Sequence, residues 1–323
     1  MILLVISVVA VFLSAFLALK LLLLGSPKKF KNLVKRHVVI TGGSKGIGRA
    51  LAIEAVKSGC DVTIVARNAG QLEKVESELK SLANDNQISI KTIALDLTND
   101  FQSIKDTLEN HFGRNGTSSI DILINNAGAT IDGEFEKLRA EDFEQEMKIN
   151  YLSAVYVTKA LMPFLKESAR RSEYESRKFL GSRIVFLSSQ AGQLGLYGYS
   201  AYSSSKFALR GLAECLQMEL KPANVWITVA YPPNTDTEGF SNECLQMPEA
   251  TRIISGTAGL VQPDVVAKKI LSAAVAGHFC CYFGSDGWLL SSLCGGMSPE
   301  NNVLNMYDEM FQYFLKARSN EEL

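Results

Sequence analysis

The sequence of 323 residues has few histidines, few cysteines and almost no net charge. Its three histidines and six scattered cysteines include no C-x-x-C pair, so we expect neither a metal site nor a disulfide framework. Reduced thiols in a cytosol-like compartment are the expected state of the cysteines. With 33 Lys and Arg against 34 Asp and Glu, the charge of −1 provides no basic face, so nucleic acid is not an expected partner. A small or apolar ligand fits this composition better.

The first 24 residues form a long apolar run. No charged side chain occurs from residue 1 to residue 19, and the run resumes after Lys20. About 20 apolar residues span a bilayer. Basic residues crowd the following segment, and by the positive-inside rule they place the rest of the chain in the cytosol. We therefore expect an uncleaved transmembrane signal anchor over residues 1–24, a basic linker over 25–36, and a location in the endoplasmic reticulum membrane.

Short β-branched runs alternate with longer helical patterns from residue 37 onward. This alternation predicts an α/β fold, a doubly wound Rossmann-type parallel sheet with helices on both faces. We assign residues 37–297 to this single catalytic domain and residues 298–323 to a tail that suits an interfacial helix. The charge-rich stretch 166–183 is expected to be a solvated surface extension. Six strands are predicted, at residues 37–41, 61–66, 88–95, 121–125, 183–188 and 225–231.

A glycine-rich segment lies where the first predicted strand passes into a helical pattern. Its glycines have the spacing G-x-x-x-G-x-G. Glycines at such a turn let the backbone approach a pyrophosphate, and the helix N-terminus supplies a partial positive charge. The segment therefore predicts a dinucleotide site. The residues expected to contact the dinucleotide here are Gly42, Ser44, Lys45, Gly46, Ile47 and Gly48.

The end of the second predicted strand indicates which dinucleotide is bound. A site for NAD is expected to carry Asp or Glu there, which accepts hydrogen bonds from the ribose 2′-hydroxyl. The sequence has Arg67 instead. Together with Lys45 and Ser44, Arg67 offers donors for a 2′-phosphate, which a carboxylate would repel. NADPH is therefore the expected cofactor.

Tyr202 and Lys206 lie four residues apart in a helical pattern, so their side chains share one face. A nearby ammonium stabilises a phenolate and brings the pKa of a tyrosine toward working pH, which suits general acid catalysis. Two serines, Ser188 and Ser189, end the fifth predicted strand, at the edge where such sheets bind ligands. Taken alone, consecutive serines could also cap a turn.

The glycine spacing, the Tyr202–Lys206 pair and the preceding serines resemble the short-chain dehydrogenase/reductase family. The resemblance implies that Ser189, with Ser188 as the competing register, polarises a substrate carbonyl, and that Asn150 supports a water relay to the lysine. In the family's loop after the sixth strand, Pro233 replaces a glycine, which leaves the path of that loop open. Further cofactor contacts implied by the resemblance are Asp96, Asn125, Tyr202, Lys206 and Thr237.

The run over residues 186–202, with 206–213 and 230–237, is similar to the members of this family that act on sphingoid bases. This similarity implies an NADPH-dependent reduction of 3-ketosphinganine, a membrane lipid, in sphingolipid synthesis. Two alternatives stay open: a membrane-anchored reductase for steroid, retinoid or fatty-acyl carbonyls, and a sensor that binds NADPH and a lipid without turnover. The sequence also leaves open whether the chain forms a homo-oligomer.

Overall fold

The structure is a computed structural model that describes residues 33–83, 88–114, 119–174, 181–256 and 259–294. The expected anchor over residues 1–24, most of the basic linker and the tail over 298–323 lie outside these ranges. Within the described ranges, no helix combines the length and apolar character that crossing a membrane requires.

In the described residues, seven strands form one parallel sheet, in the order β3-β2-β1-β4-β5-β6-β7. The predicted doubly wound sheet is confirmed, and each of the six expected strands is present within two residues of its expected bounds. Because the order reverses between β1 and β4, a crevice opens there at the carboxyl edge of the sheet. The strands are β1 His37–Thr41, β2 Asp61–Ala66, β3 Ile90–Ala94, β4 Ile122–Asn125, β5 Ser182–Leu187, β6 Val225–Ala230 and β7 Cys280–Cys281.

Helices connect the strands and cover both faces of the sheet. A single turn of π-helix, Met147–Leu152, joins two of them, and short 3-10 turns follow β5 and precede β6. The α-helices of the described residues are α1 Gly46–Lys57, α2 Ala69–Leu82, α3 Phe101–Arg114, α4 Ala140–Glu146, α5 Ser153–Tyr174, α6 Ser200–Leu220, α7 Glu238–Gln246, α8 Glu249–Gly256, α9 Pro263–Ala276 and α10 Gly284–Cys294.

Alternate residues of the central strands enter two separate apolar cores. Ile40 and Ile64 pack on one face with Leu51 of α1. Val39 packs on the other face with Phe112 of α3. Both cores are fully buried because a parallel sheet is covered by helices on each side. The carboxyl edge of the sheet is therefore a rigid platform for side chains that follow the strands.

The expectation that residues 166–183 form a solvated surface extension is wrong in part, because several of these residues are buried. Residues 166–174 continue α5, and there Ser168 and Ala169 face the core. Arg183 lies inside β5 with 0% exposure, where its Nε donates to the carbonyl of Ala274 at 2.9 Å. The charged residues of this stretch of α5 lie at helical spacing and keep one face of the helix in solvent. Arg183 can be buried because its guanidinium donates hydrogen bonds to backbone carbonyls.

Candidate active site

The glycine turn after β1 packs too tightly for any other side chain. Gly42 has φ +65°, and its N–H donates to the carbonyl of Val65 at 2.8 Å. A Cβ on Gly48 would lie 2.2 Å from the carbonyl oxygen of Gly42. Since α1 begins at Gly46, its positive N-terminal end faces the turn. No acidic residue in its first turn offsets this partial charge. The turn and this helix end fit the pyrophosphate of a nicotinamide dinucleotide.

Asn126 ties the glycine turn to β4, a role that the sequence did not reveal. Its Nδ2 donates to the carbonyls of Thr41 at 2.9 Å and Gly42 at 3.1 Å. The neighbouring Asn125 is buried, and its Nδ2 donates to Oγ1 of Thr158 at 3.0 Å. The cofactor contact of Asn125 therefore stays a prediction, and Asn126 is the residue that shapes the turn. The Asn-Asn pair was visible in the sequence, but only the strand register distinguishes the two side chains.

Arg67 and Asp96 follow β2 and β3 at the same edge of the sheet. Arg67 is exposed, and its positive charge reaches the carboxylate of Asp96. That carboxylate accepts hydrogen bonds from the backbone N–H and the hydroxyl of Thr98 at 2.9 and 2.7 Å. Burial acts to raise the pKa of Asp96, but the Thr98 hydrogen bonds and the nearby cations outweigh it and hold the pKa below its ordinary value. Asp96 is thus an ionised acceptor beside an exposed arginine.

Thr237 reaches the glycine turn even though Pro233 stands in the preceding loop. The loop is held by Oγ1 of Thr235, which donates to the Pro233 carbonyl at 2.8 Å. A Cβ on Gly46 would lie 3.3 Å from Cγ2 of Thr237. Oγ1 of Thr237 accepts from the N–H of Phe240 at 3.1 Å and caps α7. The predicted contact residue therefore stands next to the predicted dinucleotide site.

Tyr202 and Lys206 lie on one face of the first turns of α6, as predicted. Nζ of Lys206 is 5.5 Å from the centre of the Tyr202 ring and donates to the Leu187 carbonyl at 3.0 Å. Burial lowers the pKa of Lys206 to about 8, against the opposing charge of Glu146. Burial, followed by the negative charge of Glu243, raises the pKa of Tyr202 above its ordinary value. Tyr202 is therefore a protonated phenol at neutral pH. The expectation that Lys206 brings the pKa of Tyr202 down is wrong for this structure, because burial outweighs the ammonium.

The two serines after β5 have different surroundings. Oγ of Ser188 is buried and donates to the Lys206 carbonyl at 2.9 Å, which makes it a link between β5 and α6. Ser189 interacts with the Tyr202 phenol and acts to lower its pKa. Oγ of Ser189 also accepts from the N–H of Ala191 at 3.2 Å. The geometry favours Ser189 as the hydroxyl that faces a substrate, and its catalytic role stays a prediction.

Asn150 sits in the π-helical turn and meets Lys206 beside Gly128. Its Oδ1 accepts a hydrogen bond from the N–H of Ala129 at 3.0 Å, and its Nδ2 donates to the carbonyl of Ala129 at 2.9 Å. Its Nδ2 also donates to Oγ of Ser205 at 3.0 Å. A Cβ on Gly128 would lie 2.6 Å from Oδ1 of Asn150 and 3.3 Å from Nζ of Lys206. The structure thus brings the predicted relay residue next to the lysine.

Two carboxylates near Tyr202 and Lys206 were not recognised from the sequence as parts of the site. Glu146, with 0% exposure, accepts hydrogen bonds from the Ile131 N–H and from Nδ2 of Asn150. Burial raises its pKa to about 7, and the charge of Lys206 acts against that rise. Glu243 of α7 interacts with Tyr202 across the site. The one available signal was that Glu146 precedes Asn150 by one helical turn.

Among the described residues, no cluster of His, Cys, Asp and Glu could hold a metal.

The chain belongs to the short-chain dehydrogenase family, whose model matches residues 36–247. Two solved structures share its fold. A short-chain type dehydrogenase/reductase from Mycobacterium marinum superposes with a TM-score of 0.64 at 21% identity, over 76% of this chain and 90% of that one. An alcohol dehydrogenase from the archaeon Thermococcus sibiricus, complexed with 5-hydroxy-NADP, has a TM-score of 0.59 at 24% identity, over 72% of this chain and 88% of that one.

Closer relatives in sequence share a more particular name. The 3-dehydrosphinganine reductase of Danio rerio is 44% identical over 92% of this chain and 86% of its own length. The 3-ketodihydrosphingosine reductase of Bos taurus is 47% identical over 83% of this chain and 77% of its own. A 3-dehydrosphinganine reductase of Arabidopsis thaliana is 35% identical over 88% and 81%. The resemblance to sphingoid-base reductases is confirmed.

Proposed function

We propose that this chain reduces 3-ketosphinganine to sphinganine with NADPH. The observation that carries the proposal is the convergence of Tyr202, Lys206, Ser189 and Asn150 at the edge of the sheet beside the glycine turn. The Danio rerio relative, matched over 86% of its length, is named for the same reaction.

The side chains suit the reduction of a ketone. When bound, the reduced nicotinamide supplies a hydride to the carbonyl carbon. The Tyr202 phenol, protonated at neutral pH, donates its proton to the carbonyl oxygen. The Ser189 hydroxyl donates a hydrogen bond to the same oxygen and stabilises its developing negative charge. The Lys206 ammonium near the ring favours the phenolate that proton transfer leaves behind.

Replacing Tyr202 with phenylalanine tests this function in membranes that carry the full chain. We expect wild-type protein to consume NADPH when 3-ketosphinganine is added, and Tyr202→Phe to lose about 100-fold or more of that rate. Tyr156→Phe is the matched control, because the ring of Tyr156 packs against that of Phe101 at the start of α3. Near-normal turnover by Tyr202→Phe would refute the mechanism. Wild-type turnover of a steroid or retinal but not of 3-ketosphinganine would refute the substrate, and NADPH binding without any turnover would favour a sensor.

NADPH, and not NADH, is the proposed cofactor because an exposed Arg67 directly follows β2, where a carboxylate would serve NAD. Arg67→Asp is expected to reverse or abolish the preference for NADPH in steady-state assays with both cofactors. Lys74→Asp, on an exposed position of α2, makes the same charge change and should leave the preference intact. An unchanged preference in Arg67→Asp would refute the assignment.

Residues 1–24 are proposed to anchor the protein in the endoplasmic reticulum membrane, with the catalytic domain in the cytosol. The apolar length and the basic residues that follow support this arrangement. A lipid substrate also partitions into membranes by about 0.8 kcal/mol per buried methylene. We expect the chain to stay in the membrane pellet after alkaline carbonate treatment and its C-terminal tag to be digested by protease added to intact microsomes. Release by carbonate, or a protected tag, would refute the proposal.

A further inference from the structure

Glu243 lies beside the proton donor, although it comes from a different helix. Oη of Tyr199 donates to Oε1 of Glu243 at 2.6 Å, and the Tyr199 ring is centred 5.5 Å from the Tyr202 ring. The hydroxyl of Thr130 interacts with both the Tyr202 phenol and the Glu243 carboxylate. Two independent contacts therefore place this carboxylate next to the position that a substrate carbonyl would occupy.

Glu243 has no cationic partner within the part of the chain that the structure describes. Burial, and then the charge of Asp132, raise the pKa of Glu243. Oδ2 of Asp132 is itself buried and has no hydrogen-bond partner among the described residues. A carboxylate in such surroundings is costly unless a positive charge accompanies it. The missing charge is one that a ligand can supply.

The proposed substrate carries that charge at the appropriate place. In 3-ketosphinganine the amino group, an ammonium at neutral pH, is bonded to the carbon next to the carbonyl. When the carbonyl oxygen contacts Tyr202 and Ser189, the ammonium must lie within a few ångströms of the phenol. Glu146 cannot serve it, because that carboxylate is fully buried and already accepts from Ile131 and Asn150.

We propose that Glu243 binds the ammonium group of the substrate and so selects 2-amino ketones over ketones that lack the amine. Asp132 strengthens the negative potential at that position. This inference rests on the proposed reductase function and extends it, since it distinguishes sphingoid bases from steroid, retinoid and fatty-acyl carbonyls.

The test compares two ketones: 3-ketosphinganine and its analogue with hydrogen in place of the amino group. Full-length wild type, Glu243→Gln and Glu243→Asp are assayed for kcat/KM with NADPH. We expect Glu243→Gln to lose about tenfold to a hundredfold on 3-ketosphinganine, the range of one hydrogen bond to a charged group. Its loss on the analogue, which has no ammonium to bind, should be much smaller. Removing the charge of Glu243 also changes the pKa of Tyr202, but that effect acts on both ketones and cancels in the ratio of their kcat/KM values. Glu243→Asp, which keeps the charge, should recover part of the preference.

Controls separate this inference from the function on which it rests. Glu249→Gln removes an exposed carboxylate at the start of α8 and should behave as wild type on both ketones. Equal losses on both ketones in Glu243→Gln, or no loss on 3-ketosphinganine, would overturn ammonium recognition while leaving the reductase function standing. Wild-type protein that reduces neither ketone would overturn both.

Discussion

Replacing Glu146 with glutamine should change how the stability of the protein depends on pH. Glu146 is fully buried, and burial raises its pKa from 4.5 to about 7. Between these values the folded chain binds a proton that the unfolded chain has released, so stability falls as pH rises. At about 1.4 kcal/mol per pKa unit, the loss is on the order of 3 kcal/mol by neutral pH.

Glutamine removes this dependence, and it also removes one hydrogen-bond acceptor. The two carboxylate oxygens accept from the Ile131 N–H and from Nδ2 of Asn150, whereas an amide has one acceptor oxygen. The side-chain amide of Asn150 cannot flip to compensate, because it is hydrogen-bonded to both the N–H and the carbonyl of Ala129. The NH2 group of glutamine must then face one of these two donors, and that donor–donor contact costs about 1–3 kcal/mol. We therefore expect Glu146→Gln to be less stable than wild type near pH 5 and to approach or exceed it near neutral pH.

Urea unfolding of the full chain in detergent micelles, followed by tryptophan fluorescence, measures this difference from about pH 5 to about pH 7.5. The upper limit keeps the experiment below the titration of Lys206, whose pKa is lowered to about 8. Above that pH, Lys206 makes the stability of the protein rise with pH, which is opposite to the effect of Glu146. Glu109→Gln, at an exposed ion pair with Lys105, should keep the wild-type pH dependence. Parallel pH curves for wild type and Glu146→Gln would refute the reasoning.

Four other substitutions address the serines, the glycine turn and the core. Ser189→Ala should lower the rate of ketone reduction by about 100-fold or more, whereas Ser188→Ala should mainly lose about 1–3 kcal/mol of stability; the opposite pattern would exchange the two roles. Gly48→Ala should abolish NADPH binding in fluorescence titrations, because its Cβ would lie 2.2 Å from a backbone oxygen; normal affinity would contradict that geometry. Phe112→Ala should cost about 3–5 kcal/mol in urea unfolding, and a loss below about 1 kcal/mol would show that the core refills the cavity.

Local patterns in the sequence predicted most of the fold. Strands such as Asp61–Ala66 were found because buried β-branched runs between helical patterns are a short-range signal. The glycine turn and the Tyr202–Lys206 pair were recognised for the same reason, since a turn and a helix face depend on residues close together in the chain. The anchor, the cofactor preference and the catalytic roles stay predictions for the experiments above.

Long-range contacts account for what the sequence did not reveal. Glu146 became part of the site through the backbone of a loop fifteen residues away and through Asn150. Arg183 looked like a surface charge, yet it is buried against the Ala274 carbonyl, 91 positions along the chain. Glu243 contacts the site through Tyr199, which is 44 positions away and donates a hydrogen bond to it. Apart from the one-turn spacing of Glu146 and Asn150, none of these contacts has a spacing that a sequence pattern could show.

By itself, the sequence determined the parallel α/β architecture, the glycine turn and the pairing of Tyr202 with Lys206. Each of these depends on local conformation, which follows from residue type and periodicity. Only the tertiary structure showed that Ser188 and Ser189 have different surroundings and that Asn126, not Asn125, holds the glycine turn, because neighbouring residues point in opposite directions at a strand end. It also decided which carboxylates surround the phenol, because burial and charge at one point are summed over segments far apart in the chain.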